Sequence, residues 1–230
     1  MHEARNGGLR AAGDRRSRRG DRGAQVRAGG QSLRLGLPST AAAARQNLGL
    51  ALARTGSFDE ARTVETAALE VFRTSGNRRM EAASSSYLAH ILFLAGDLDA
   101  AEREARAAIA LASEPPLLPP SRAEGLAGLA QVLLAKGGHA EALEAAREAM
   151  DLLDAIGGID GGEGGIRLVW AEALHSRGEL DAARSAIAAA RERLLAAAAK
   201  IDDEAVRRMY LERVPDHART LELARAWIAP

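Results

Sequence analysis

"ARTGSFDEAR", residues 53–62, places a glycine two residues before an apolar side chain and five residues before an alanine. The same wording returns as "FLAGDLDAAE" (93–102), "LAKGGHAEAL" (134–143) and "HSRGELDAAR" (175–184). The glycines are Gly56, Gly96, Gly137 and Gly178, spaced by 40, 41 and 41 residues. A fixed period in this range is the signature of a repeat array.

Counting from each glycine exposes the columns. Eight residues before it stand Leu48, Leu88, Leu129 and Trp170; seven before, Gly49, Ala89, Ala130 and Ala171; four before, Leu52, Leu92, Leu133 and Leu174. Two after stand Phe58, Leu98, His139 and Leu180, with His139 the polar outlier. Five after stand Ala61, Ala101, Ala142 and Ala183; twelve after, Ala68, Ala108, Ala149 and Ala190. The columns at −8 and −4 share one helical face, as do those at +2, +5 and +12. The glycine between them is where a chain leaving one helix needs a positive φ. Each unit therefore reads as helix A, a tight turn, then helix B. Small residues at −7, +5 and +12 let the two axes approach closely.

The helix limits predicted from these patterns are 41–54, 58–74, 79–95, 98–113, 122–136, 139–156, 163–177 and 180–199. Ser57 with Glu60, and Ser121 with Glu124, read as capping boxes, and Asp97 as an N-cap. Asp59, Asp99 and Asp181 put negative charge in first turns, where the helix dipole favours it. Beyond the fourth unit, Asp202 can cap a helix reaching Arg213, and a last helix follows Pro215 with Leu221, Ala224, Trp227 and Ile228 on one apolar face. This pair reads as the cap a repeat stack needs at its end.

These columns resemble the tetratricopeptide repeat, whose pattern has a large residue, a small residue, a turn glycine, an aromatic or Leu, and two alanines at the same relative positions. The resemblance covers residues 41–199. It implies an all-α, right-handed α-solenoid of about four helix pairs of 40–41 residues, followed by the capping pair. The usual unit of that family is about 34 residues. The longer unit here implies longer helices or loops, as in relatives found in bacterial regulatory ATPases. The family's Trp near the start of helix A is missing, with Arg45, Ser85, Leu126 and Arg167 in its place. A second resemblance rests on "GNRRMEAASSSYLAHILFLAGDLDAAEREARAAI" (76–109) and "RMYLERVPDHARTLELARAW" (208–227). Both look like the C-terminal helical region of large bacterial serine/threonine kinase–ATPase signalling proteins. It implies a detached regulatory arm, with a kinase/ATPase domain in the same or a neighbouring chain as partner.

Composition narrows the function classes. The 230 residues hold no cysteine, which removes disulfides, thiolate metal sites and a Cys nucleophile. The basic residues are 29 Arg and 2 Lys. Nine Arg against three acids fall in residues 1–38, a Gly-rich head without apolar periodicity that is expected to be disordered. Residues 39–230, read as the repeat domain, keep 22 basic and 28 acidic residues. A net-acidic body is not expected to bind nucleic acid. No apolar run approaches the ~18 residues of a membrane span, and the head lacks the apolar core of a signal peptide, so a cytoplasmic location is expected.

Enzyme signatures are absent. Lys136 and Lys200 both follow Ala, so no phosphate-binding G-K-[ST] loop exists; no kinase, zinc-hydrolase or serine-hydrolase motif is present. "GGIDGGEGG" (157–165) follows a helix rather than a strand and reads as an inter-repeat loop. "PPLLPP" (115–120) reads as a stiff turn ending helix B of unit two. His90 and His175 lie in different columns and lack a third ligand, so no metal and no cofactor is expected.

In tetratricopeptide arrays helix A lines the concave wall. The positions ten, six and three before the glycine would then bind a protein or peptide: Gln46, Leu50, Ser86, His90, Phe93, Gln131, Leu134, Glu172 and His175. The plainer alternative is that Leu50, Phe93 and Leu134 only pack on neighbouring helices. The function expected is a non-catalytic interaction scaffold or regulatory module in signalling, with a small-ligand effector sensor as the alternative.

Overall fold

The computed structural model of the chain describes residues 38–159 and 161–228. The expected disordered head lies outside the described residues, apart from Pro38. Ten helices and no strand occur among the described residues: α1 Pro38–Arg54, α2 Phe58–Thr74, α3 Arg78–Leu94, α4 Leu98–Ser113, α5 Pro119–Ala135, α6 His139–Ile156, α7 Glu163–Ser176, α8 Leu180–Ala198, α9 Glu204–Arg213 and α10 Pro215–Ile228. The predicted limits are met to within about three residues. α1 and α2 have 17 residues each, so two helices alone fill the ~34 residues of the usual unit and the turns come on top. The long period is thus carried by helix length.

One turn is built four times. Gly56, Gly96, Gly137 and Gly178 have φ between 79° and 83°. The amide after each glycine donates to the carbonyl of the −4 leucine: Ser57 to Leu52, Asp97 to Leu92, Gly138 to Leu133 and Glu179 to Leu174, at 2.8–3.0 Å. The glycine amide itself donates to the following carbonyl, at Ala53, Phe93, Leu134 and His175. This is the Schellman arrangement, which satisfies helix-end carbonyls and demands a left-handed residue.

The helix starts differ from expectation at three places. Asp97 accepts from the Ala100 amide at 3.1 Å, as predicted. Ser57 holds the same N-cap position with nearly the same backbone (ψ 60° against 73°), yet its hydroxyl makes no capping bond. Ser121 is not a cap: α5 starts earlier, at Pro119, because prolines at the first two helical positions lack amides that would need one. α9 is capped by Asp203, not Asp202, through the Val206 amide at 3.0 Å.

Backbone contacts divide the chain into two compact units meeting between Asn77 and Arg78. The first holds the packed pair α1–α2. In the second, α3–α4, α5–α6 and α7–α8 pack as hairpins, α4 packs on α5 and α6 on α7, and consecutive A helices touch (α3 with α5, α5 with α7). α10 packs against α8 and α7, the same relation that α7 has to α6 and α5. It therefore takes the place of one more helix A, with α9 as the connection.

Helix B supplies the most regular core. Ala61, Ala101, Ala142 and Ala183 are fully buried, as are Ala68, Ala108 and Ala149, and Ala190 is nearly so. Two further columns complete this stripe. Nine after the glycine are Glu65, Ala105, Ala146 and Ile187; sixteen after are Phe72, Ala112, Leu153 and Leu194; all are buried. The steps of 4, 3 and 4 residues from +5 to +16 trace one helical face. The +2 column does not belong to it. Phe58 and Leu98 are half-buried, and His139 and Leu180 are exposed, because that residue opens helix B at its outer end. On α10 the buried face is Thr220, Leu223 and Ala224, with Trp227 packed beside them, while Ile228 is exposed.

Candidate partner-binding wall

Three consecutive A helices, α3, α5 and α7, stand side by side in the unit from Arg78 onward. Their −6 and −3 positions are His90 and Phe93, Gln131 and Leu134, and Glu172 and His175. His90 and His175 are exposed, and the other four are half-buried. Leu134 leans on the core cluster that runs from α3 to α8, as the plainer reading of its apolar side chain has it.

The −10 position behaves differently. Ala127 and Leu168 are buried, and Gln46, at this position in α1, is buried at 4% exposure. Ser86 is half-buried. Gln46 is thus a buried residue of the α1–α2 unit and is not presented as a wall residue. Leu50, on α1, is half-buried and belongs to the other compact unit.

The fourth repeat is already engaged by the chain itself. Arg219 of α10 reaches Glu172, with Nε 3.1 Å from Oε1. Trp227 stacks flat on His175, ring centroids 4.3 Å apart and planes 6° apart. Leu223 and Ala224 cluster with Leu168. Burial pushes the Glu172 carboxyl above the usual range, and the Arg219 guanidinium pulls against that shift. Sequence reading places Glu172 and His175 on an open wall; α10 sets Arg219 and Trp227 against them because an array's last face needs a covering helix.

Glu124 is a half-buried acid that the columns hide, its side chain lying against Gly162 at the start of α7. It lies one turn before Ala127 on the same face of α5, where α3 has Ala83 and α7 has Gly165. With no acid in the equivalent places, no column flags it. Burial raises its carboxyl above the ordinary 4.5. The sign for stability follows. The unfolded chain ionises this group more readily than the folded one, so the carboxylate is a penalty near neutral pH. That penalty fades as pH falls through the folded pKa and is gone below about 4.5. Glu124→Gln is expected to raise the melting temperature at pH 7, with the gain vanishing below pH 4.5. A lower melting temperature at pH 7 would mean that the carboxylate is held by a favourable contact.

No protein-family model matches the chain, and no curated protein matches it in sequence. Solved structures do match in fold. The crystal structure of BtubC from P. vanneervenii aligns with a TM-score of 0.66 at 16% identity, covering 90% of this chain and 86% of that one. A putative kinesin light chain from Podosopora anserina, made of nearly identical TPR-like repeats, gives 0.54 at 16% identity, over 80% and 93% of the two chains. A Rap protein complexed with Competence and Sporulation Factor gives 0.57 at 18% identity, over 89% of this chain and 56% of that one. No helix among the described residues is long and apolar enough to cross a membrane. The chain has the all-α fold of TPR-like solenoid repeats.

Proposed function

We propose that this chain is a non-catalytic interaction scaffold whose α3–α5–α7 wall takes a protein or peptide segment bearing a basic side chain. The observation that carries the reading is the Glu172–Arg219 pair at 3.1 Å. A guanidinium supplied from α10 already sits on the wall's carboxylate, and Glu124, one helix along, offers a second, half-buried carboxylate. Phe93 adds an apolar anchor of the kind common at interface centres, and Gln131 can donate to and accept from an extended backbone. The wall as proposed comprises His90, Phe93, Glu124, Gln131 and Leu134, with Ser86 at its margin.

The wider setting proposed is bacterial signalling in the cytoplasm, with this chain as a detached regulatory arm and a kinase/ATPase domain as partner. The resemblance of residues 76–109 and 208–227 supports it, as does the neighbour that is complexed with a factor. A kinase–ATPase reading frame immediately upstream would give the partner to test first. With that domain in hand, Phe93→Ala is expected to lose it by roughly tenfold or more in affinity, while the protein melts within a few degrees of wild type. Binding should weaken as salt rises, since the contact includes charge. Undiminished capture by Phe93→Ala and by Glu124→Gln would remove the wall from the proposal.

The small-ligand alternative has one observation in its favour, a cavity at the fourth repeat.

A further inference from the structure

A cavity of about 560 Å³ lies between the first turn of α7, the C-terminal half of α8 and the corner joining α9 to α10. Its size falls within the about 300–1,000 Å³ of small-molecule sites. The glycine-rich run that reads as a mere loop forms one side of it. Gly162 has φ 77°, and a Cβ on Gly165 would lie 2.9 Å from Asp216 Oδ2, so side chains here would push the first turn of α10 away.

Three cations line this space. Arg167 stands eleven before the turn glycine, a column whose α3 and α5 members, Ser85 and Leu126, are buried core residues. A guanidinium at a core position needs an anion. Glu163 supplies one: its Oε1 is 2.8 Å from Arg167 Nε and 3.9 Å from Arg193. Both guanidinium groups thus converge on one carboxylate oxygen, Arg167 tightly and Arg193 loosely. Lys200 is the third cation, exposed on the rim, and no carboxylate of the described residues lies within 4 Å of it. Among the described residues, Glu163 and Asp216 are the acids of the lining, against the three cations. The α7 first turn adds the positive end of a helix. Ile159, Leu194 and Val214 give the remaining wall an apolar surface.

We infer that this cavity binds a small phosphomonoester, with Arg193 and Lys200 on the phosphate and the apolar wall on its organic part. Guanidinium and ammonium groups together suit a multivalent oxyanion. Arg193 is free to turn because its hold on Glu163 is long, while Arg167 keeps Glu163 in place.

Calorimetric titration of the full chain at fixed ionic strength tests this, with phenyl phosphate and inorganic phosphate as probes. The expected result is saturable one-site binding, tighter for phenyl phosphate. Lys200→Glu and Arg193→Glu should each weaken it by roughly tenfold or more. Arg191→Glu makes the same charge change on an exposed α8 residue outside the lining and should leave binding within about twofold. All three side chains are exposed, so melting temperatures should stay near wild type. Absence of saturable binding, equal loss in the Arg191 variant, or retention by both lining variants would each overturn the assignment.

Discussion

Leu92→Ala is expected to destabilise the protein by roughly 2–5 kcal/mol. Leu92 is the −4 residue of α3, 6% exposed, and its carbonyl takes the Asp97 amide in the turn to α4. Truncation removes apolar burial and leaves a void between α3 and α4, two helices tied by a short turn that cannot easily close on it. The neighbouring residue is the matched comparison. Phe93 is half-buried at the −3 position of the proposed wall, so Phe93→Ala should cost clearly less despite deleting the larger side chain. Denaturant melts of the two variants decide the matter. If Phe93→Ala unfolds as early as Leu92→Ala, then Phe93 is core and the wall loses its anchor.

Overpacking the small-residue column should cost roughly 1–3 kcal/mol at each site. Ala101 and Ala142 are fully buried in α4 and α6, each in the first turn and a half of helix B, where the turn holds it against helix A. A leucine there has no void to fill and must part the helices. Ala140→Leu is the control, since Ala140 is exposed on the same helix as Ala142. The expected result is early unfolding of Ala101→Leu and Ala142→Leu beside a nearly unchanged Ala140→Leu. Equal behaviour of all three would show that the column does not set the interhelical distance.

What the sequence by itself determined follows from positions that admit few residue types. The left-handed turn needs glycine, and the closest helix–helix contacts leave room only for alanine. Those letters therefore recur, and they fix the period, the helix limits and the +5 and +12 core. Tertiary structure alone decided the rest. At +9 and +16 the gap between helices differs from repeat to repeat, so Glu65, Ala105 and Ile187, or Phe72 and Ala112, fill equivalent places without a shared letter. Neighbouring helices also decided which predicted wall residues stay accessible: Gln46 is buried within the α1–α2 unit, and α10 brings Arg219 and Trp227 onto Glu172 and His175 across more than forty residues of chain. The cavity depends on the same closure. Arg167, Arg193 and Lys200 are unremarkable charges along the chain, and only the packing of α7, α8 and α10 sets them around one space.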